Sequence, residues 1–277
     1  MRGIDVRHRG REKVICCWQV DGVLVDPGPQ SCEHTLLAAL DGARPDALLL
    51  THIHFDHAGA AGSLVRRWPD LPVYVHEIGA PHLIDPERLV SSAARLYGGE
   101  DGLRDLWGEV VPVPEANLHV LSGGETVLGF RVGYTPGHAS HHVCYLHEDS
   151  GWAFVGDMAG VHIPPGELTL APTPPPDIDV QAWEDSIELI AGWRPERLAL
   201  THFGTADDPE AQLAAVRDAL HAQAKLAAEH DLEGFMAALH ARVLEGAPQP
   251  DVVAAFELAA PLDHLFLGLD RWHRKRG

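Results

Sequence analysis

Thr51-His52-Ile53-His54-Phe55-Asp56-His57 follows the apolar run Ala47 to Leu50 and leads into the small residues Ala58-Gly59-Ala60. The apolar run reads as a short strand and the stretch from about Ala58 to Arg67 as a helix, so the histidines fall on the turn between them. In extended backbone the side chains at i and i+2 point the same way, which lets His52 and His54 reach one ion. The turn then presents Asp56 and His57 to a second. Imidazole and carboxylate are ligands for zinc and iron alike, at about 2.0–2.2 Å for zinc.

A histidine at a strand end is more often a surface or capped residue than a ligand, and some clustering is expected among 19 histidines. Three further segments shift that balance. Tyr134-Thr135-Pro136-Gly137-His138, Val155-Gly156-Asp157 and Ala199-Leu200-Thr201-His202 each place one more ligand-type residue straight after an apolar strand. Packing alone does not explain ligand-type residues at several separate strand ends.

The order of these residues resembles the metallo-β-lactamase superfamily, whose pattern is His-x-His-x-Asp-His, a later His, a bridging Asp and a final His. The resemblance runs from about Val14 to Gly204. It implies an α/β fold, a four-layer αββα sandwich with metals in a cleft at one edge of its two sheets. By matched position, His52, His54 and His138 would hold one metal, Asp56, His57 and His202 a second, and Asp157 would bridge them. The cofactor this implies is a pair of divalent ions, zinc first, with manganese or iron also accommodated by the donors. Two such cations about 3.5–4 Å apart lower the pKa of a shared water and polarise an electrophilic oxygen. Asp56 and Asp157 are then the expected catalytic carboxylates, Asp56 as the proton acceptor proposed for this position in the family.

His141 and His142 follow His138 closely, and His162 lies in the proline-rich stretch after Asp157. They read either as strand-start and solvent-exposed residues or as a partner of the ligands (His142) and a donor to the substrate oxyanion (His162). Thr51 and Thr201 read as backbone-bonding residues at strand ends.

Fold does not fix substrate. The common zinc β-lactamases use a Cys ligand and lack a carboxylate at the position of Asp157, and flavodiiron proteins carry Glu where this chain has His54. Glyoxalase II resembles the chain in its metal set, but its glutathione-contacting C-terminal pattern is not evident in Pro209 to Gly277. The expected activity is hydrolysis of a carboxylic ester, lactone or thioester by water activated between two metals. The alternatives are an oxidoreductase resembling the mononuclear-iron persulfide dioxygenases, a phosphodiesterase or ribonuclease of the same fold, and a non-catalytic metal-binding protein.

Composition narrows the partners. Lys and Arg number 21 against 40 Asp and Glu, a net charge of −19, which opposes broad capture of nucleic acid or of an anionic membrane. Gly160 to Asp179 contains no basic residue to anchor a phosphate path, whereas Phe55, Trp107, Ile163, Leu168, Leu170 and Phe203 offer an apolar rim for an acyl or aryl group. Arg88, Arg95 and Arg104 are the residues that could instead hold an anion. A small-molecule substrate follows, with no nucleic acid and no membrane expected, and oligomeric state left open. Cys16, Cys17, Cys32 and Cys144 lack paired spacing and read as buried thiols. No signal-type apolar segment occupies Met1 to Gln19 and no stretch reads as long enough to span a membrane, so the expectation is a cytoplasmic enzyme.

Outward from the first motif, Lys13 to Val20 and Val23 to Val25 read as strands joined by Asp21-Gly22. A helix is expected near Cys32 to Leu40, a strand at Val73 to His76, mostly helix from Pro81 to Leu106, and strands from Leu118 to Val155. Six prolines make Gly160 to Asp179 a long loop. Beyond it come a helix at Val180 to Ala191, a strand at Arg197 to Leu200, and three helices from Pro209 onward. The expected domains are residues 1–204, with the metal-binding fold, and 205–277, a helical extension packed on it.

Overall fold

The computed structural model describes residues 1–276, which form two compact units, Met1–Glu125 and the chain from Thr126 onward. The first unit holds a six-stranded sheet in the order β1 (Arg2–Asp5), β2 (Cys16–Val20), β3 (Val23–Val25), β4 (Ala47–Leu49), β5 (Val73–His76) and β6 (Leu118–Leu121). Asp21 (φ 47°) and Gly22 (φ 85°) turn β2 back antiparallel onto β3, as the Asp-Gly pair predicts. From β3 to β6 the pairing is parallel, and helices fill the crossovers: α1 (Glu33–Leu40), α2 (Phe55–Ala58), α3 (Ala61–Arg67), α4 (Ala80–Ile84), α5 (Glu87–Ala94) and α6 (Glu100–Trp107). The central parallel strands are apolar at successive positions, so both faces are covered; Leu24, Leu48, Leu49, Leu50, Val73 and Val75 have no solvent exposure.

The second unit carries β7 (Thr126–Val127), β8 (Phe130–Tyr134), β9 (Val143–His147) and β10 (Trp152–Gly156) as an antiparallel meander. Next come the short strands β11 (Val161–His162) and β12 (Thr169–Leu170), then α7 (Val180–Gly192), β13 (Arg197–Leu200) and β14 (Gly204–Ala206). Strand β13 lies parallel to β10 and completes a six-stranded sheet in the order β14-β13-β10-β9-β8-β7. The chain ends in α8 (Pro209–Glu229), α9 (Leu232–Gly246), α10 (Pro250–Ala259) and α11 (Leu262–Arg276). Asp179, Asp208 and Asp231 cap α7, α8 and α9 by accepting backbone N–H groups of the first turn. Helix α8 packs on α7 and β12, and α11 packs on α8 and α9.

One strand is new and three readings change in detail. Arg2–Asp5 is a strand, because β2 offers an edge for it to pair with. The proline-rich segment is not wholly loop: β11 and β12 pair in the stretches free of proline. The C-terminal region has four helices, since Ala260-Pro261 ends α10 where proline removes a backbone donor. The stretch Pro250–Arg276 is long and apolar enough by composition to cross a membrane, but it is broken there, and Val252, Phe256, Leu265 and Leu269 on it are buried. None of the four cysteines is in a disulfide and all are buried, as the sequence suggested.

Candidate metal centre

Strand β4 delivers the first set of donors. Its end at Leu49 leads through extended backbone to His54 (ψ 152°), and the single turn α2 then carries Asp56 and His57. His52 and His57 are fully buried and the Asp56 side chain is 20% exposed. The rings of His52 and His54 converge, with Nε2 of one 3.0 Å from Nδ1 of the other. Donor atoms of His52 also lie within 4.8 Å of His57, and those of Asp56 within the same distance of His57.

A buried carboxylate sets the protonation of this group. Asp26 accepts the Thr51 backbone N–H on Oδ1 at 2.8 Å, and on Oδ2 it accepts the Thr51 hydroxyl at 2.7 Å and His57 Nδ1 at 2.8 Å. With its own proton given to Asp26, Thr51 Oγ1 accepts from His52 Nδ1 at 3.1 Å. Both histidines are thereby held with Nδ1 protonated and the Nε2 lone pair available, the form a metal requires. The 3.0 Å spacing of His52 Nε2 and His54 Nδ1 then fits a shared cation, since two nitrogens on a tetrahedral zinc stand about 3.4 Å apart. Asp26 escaped the sequence reading because Asp26-Pro27-Gly28-Pro29 looks like a turn. The signal that could have found it is the one that found Asp157: a carboxylate straight after an apolar strand.

The second set comes from three strand ends of the other unit. Strands β10 and β13 run parallel with Gly156 opposite Leu200, so the residues just beyond them emerge at one edge. That places His202 Nε2 3.5 Å from Asp157 Oδ1, while His138, on the loop after β8, has Nε2 3.3 Å from Asp157 Oδ2. Gly137 makes that loop possible: its φ is 139°, and a Cβ there would lie 2.4 Å from the Trp183 backbone. His138 Nδ1 donates to the Pro172 carbonyl at 2.8 Å, which again leaves Nε2 as the donor to metal. All seven residues, His52, His54, Asp56, His57, His138, Asp157 and His202, belong to groups of three His and Asp side chains that could hold an ion.

His142 is fully buried and accepts the Asp157 N–H on Nε2 at 3.4 Å while its Nδ1 meets Thr135 Oγ1 at 3.0 Å. It touches a candidate ligand through the backbone. His162 is partly buried on β11, its Nδ1 donating to the Leu168 carbonyl at 3.2 Å, and burial pushes its imidazole below the ordinary value against the pull of that bond. In this neutral form Nε2 carries a lone pair, so it accepts rather than donates, which does not match the expected oxyanion donor. The apolar rim also shrinks. Ile163 and Leu170 are completely buried, Phe55 and Trp107 nearly so, and Trp107 stacks on His8 at 4.9 Å. Leu168 and Phe203 keep partial exposure, and Arg88, Arg95 and Arg104 are all on the surface.

A family model of the metallo-β-lactamase superfamily matches residues 21–202, a span that includes every one of these candidates. The chain belongs to the metallo-β-lactamase superfamily. It is 27% identical over 201 residues to the metallo-β-lactamase fold-containing protein ST1585 of Sulfurisphaera tokodaii, covering 69% of this chain and 71% of that one. The crystal structure of ST1585 aligns with a TM-score of 0.65 and 23% identity over 80% of this chain and 85% of that one, which shows the shared fold. A hydroxyacylglutathione hydrolase of Xylella fastidiosa is 33% identical over 135 residues, 49% of this chain and only 40% of the relative. A structure of TTHA1623 in a di-iron-bound form aligns with a TM-score of 0.51 and 28% identity, over 73% of this chain and 93% of that one. These likenesses support a metal-binding hydrolase in general terms.

Proposed function

We propose that His52, His54, Asp56, His57, His138, Asp157 and His202 hold two divalent ions, and that the protein hydrolyses a carboxylic ester, lactone or thioester. The observation that carries the reading is the shared orientation of His52, His57 and His138, each with Nδ1 against an oxygen acceptor and Nε2 facing another candidate ligand. Stability alone does not call for three buried imidazoles oriented in that one sense. The metals, when bound, supply Lewis acidity and an acidified water. The chain's own residues would do the rest: Asp56, partly exposed, would take a proton from the attacking water, and Asp157 offers one carboxylate oxygen toward His138 and the other toward His202.

The likeness to a hydroxyacylglutathione hydrolase, a name that puts an acyl group on the substrate, favours acyl transfer to water over phosphodiester cleavage. So does the run Gly160 to Asp179, without a basic side chain. The substrate is a small molecule and the setting cytoplasmic, with neither nucleic acid nor membrane as partner. Zinc is the first choice of metal, and the di-iron neighbour makes iron the second. The test combines elemental analysis of protein made without added metal with kcat/KM on acyl esters, lactones, thioesters, phosphodiesters and single-stranded RNA. We expect the acyl substrates to lead. Preference for a phosphodiester or RNA would overturn the substrate assignment, and a single iron with oxygen-dependent turnover of a persulfide would replace the hydrolase with an oxidoreductase.

A further inference from the structure

We propose that Gln223, on the C-terminal helix α8, is a positioning residue for His138 and acts through the backbone of Ala171 and Pro172. The inference rests on the reading of His138 as a metal ligand. Gln223 has no solvent exposure. Its Oε1 accepts the Ala171 N–H at 2.9 Å and its Nε2 donates to the Ala171 carbonyl at 2.8 Å, so one amide side chain takes both backbone groups of that residue as a neighbouring strand would. The carbonyl of the next residue, Pro172, receives His138 Nδ1 at 2.8 Å. The proline ring fixes φ between these two points, leaving little slack. An oxygen that must select one imidazole tautomer is thus one residue from a clamp on a helix.

Two features suggest that the clamp serves more than packing. Helix α8 turns Leu213, Val216 and Leu220 inward, and a glutamine buried beside them costs free energy unless it is fully bonded. It bonds the backbone just past β12, where the pairing with β11 has ended. The segment is also pinned just past Pro172: Thr173 Oγ1 donates to the Leu265 carbonyl at 3.0 Å, and α11 comes so close at Gly268 that a Cβ there would lie 2.0 Å from the Thr173 oxygen. Both sides of the Pro172 carbonyl are therefore tied to the C-terminal helices, which bear none of the seven candidate ligands.

The test compares Gln223→Met, close in shape but unable to make either bond, with Leu239→Ala, a core truncation in α9, and with His138→Ala. Zinc affinity is read by chelator competition and folding by urea denaturation. Loss of a partner behind a metal-ligating histidine costs about 10–100-fold in affinity, so for Gln223→Met we expect about a tenfold loss, with Leu239→Ala destabilised yet binding zinc as the wild type does. Wild-type zinc affinity in Gln223→Met would reduce Gln223 to a packing residue and overturn the inference alone. Wild-type affinity in His138→Ala would remove the ligand reading beneath it. A second measurement needs no variant: coupling is reciprocal, so zinc added to the wild-type protein should slow hydrogen exchange at the Ala171 amide by at least about tenfold. An unchanged Ala171 amide would also overturn the inference.

Discussion

At the scale of single residues, the buried carboxylate Asp26 orients two candidate ligands, His57 directly and His52 through Thr51. In Asp26→Asn the amide group has to face either the Thr51 N–H or the Thr51 hydroxyl and His57 Nδ1 together, so in both orientations a buried donor meets a donor and the hold on the histidines is loosened. We expect zinc affinity to fall by about 10–100-fold, the range for partners behind ligating histidines, measured by chelator competition. Asp157→Ala should be more severe for the metals and milder for the fold. Neither sheet depends on that side chain, so metal and activity should be lost while circular dichroism stays native. His76 gives a separate prediction in pH. Burial holds its imidazole below the ordinary 6.5, outweighing the upward pull of Glu77 and Glu125. The folded state therefore binds fewer protons than the unfolded one between the lowered value and 6.5, so stability is full above pH 6.5 and falls as the pH drops through that window. Urea midpoints measured from pH 8 to 5 should fall less steeply in His76→Gln than in the wild type.

At the scale of elements, each candidate ligand sits where a strand ends, and the turn that follows decides where its side chain goes. The loop after β8 shows the demand most sharply, because Gly137 combines a left-handed φ with backbone contact to α7. In Gly137→Ala the new methyl meets the Trp183 backbone, which has no soft way to yield. Overpacking of this kind costs about 1–3 kcal/mol, to be seen as a lowered urea midpoint with an unchanged slope, and His138 should bind metal more weakly because its loop must move. The His-x-His-x-Asp-His turn was readable from the sequence because period-two geometry in extended backbone is local. The strand pairing of Val161–His162 with Thr169–Leu170 was not, since prolines between them hide the alternation that marks strands. The break at Ala260-Pro261 was a local signal that the apolar run on either side concealed.

At the scale of the whole molecule, seven donors exceed the four that one tetrahedral ion takes. Elemental analysis after reconstitution with excess zinc should give about two ions per chain, and a repeated value near one would remove the binuclear proposal. Metal binding to the folded state alone also adds stability by mass action, about 2.7 kcal/mol at a free concentration of 100 Kd. A chelator should accordingly lower Tm, and added zinc should restore it. The C-terminal helices carry a further prediction. Because α8 rests on α7 and β12, we propose that residues 205–277 do not fold alone, and limited proteolysis should release no stable C-terminal fragment from a still-active remainder.

The sequence by itself determined the α/β class, the family, and the residue types and order of the candidate ligands, because these follow from local rules: apolar runs make strands, and histidines two apart in extended chain share a face. What only the tertiary structure decided is how those residues are held. Asp26 and His57 are 31 positions apart, His138 and the Pro172 carbonyl 34, and Gln223 and Ala171 52. No periodicity reaches so far along a chain. It takes the parallel pairing of β3 with β4 to bring Asp26 beside Thr51, and the packing of α8 on β12 to set Gln223 against the loop. The assembled fold also buries Ile163 and Leu170, which in sequence looked free to meet a substrate. Exposure belongs to the assembled fold, whereas the capacity to bind a metal is already written in the side chains.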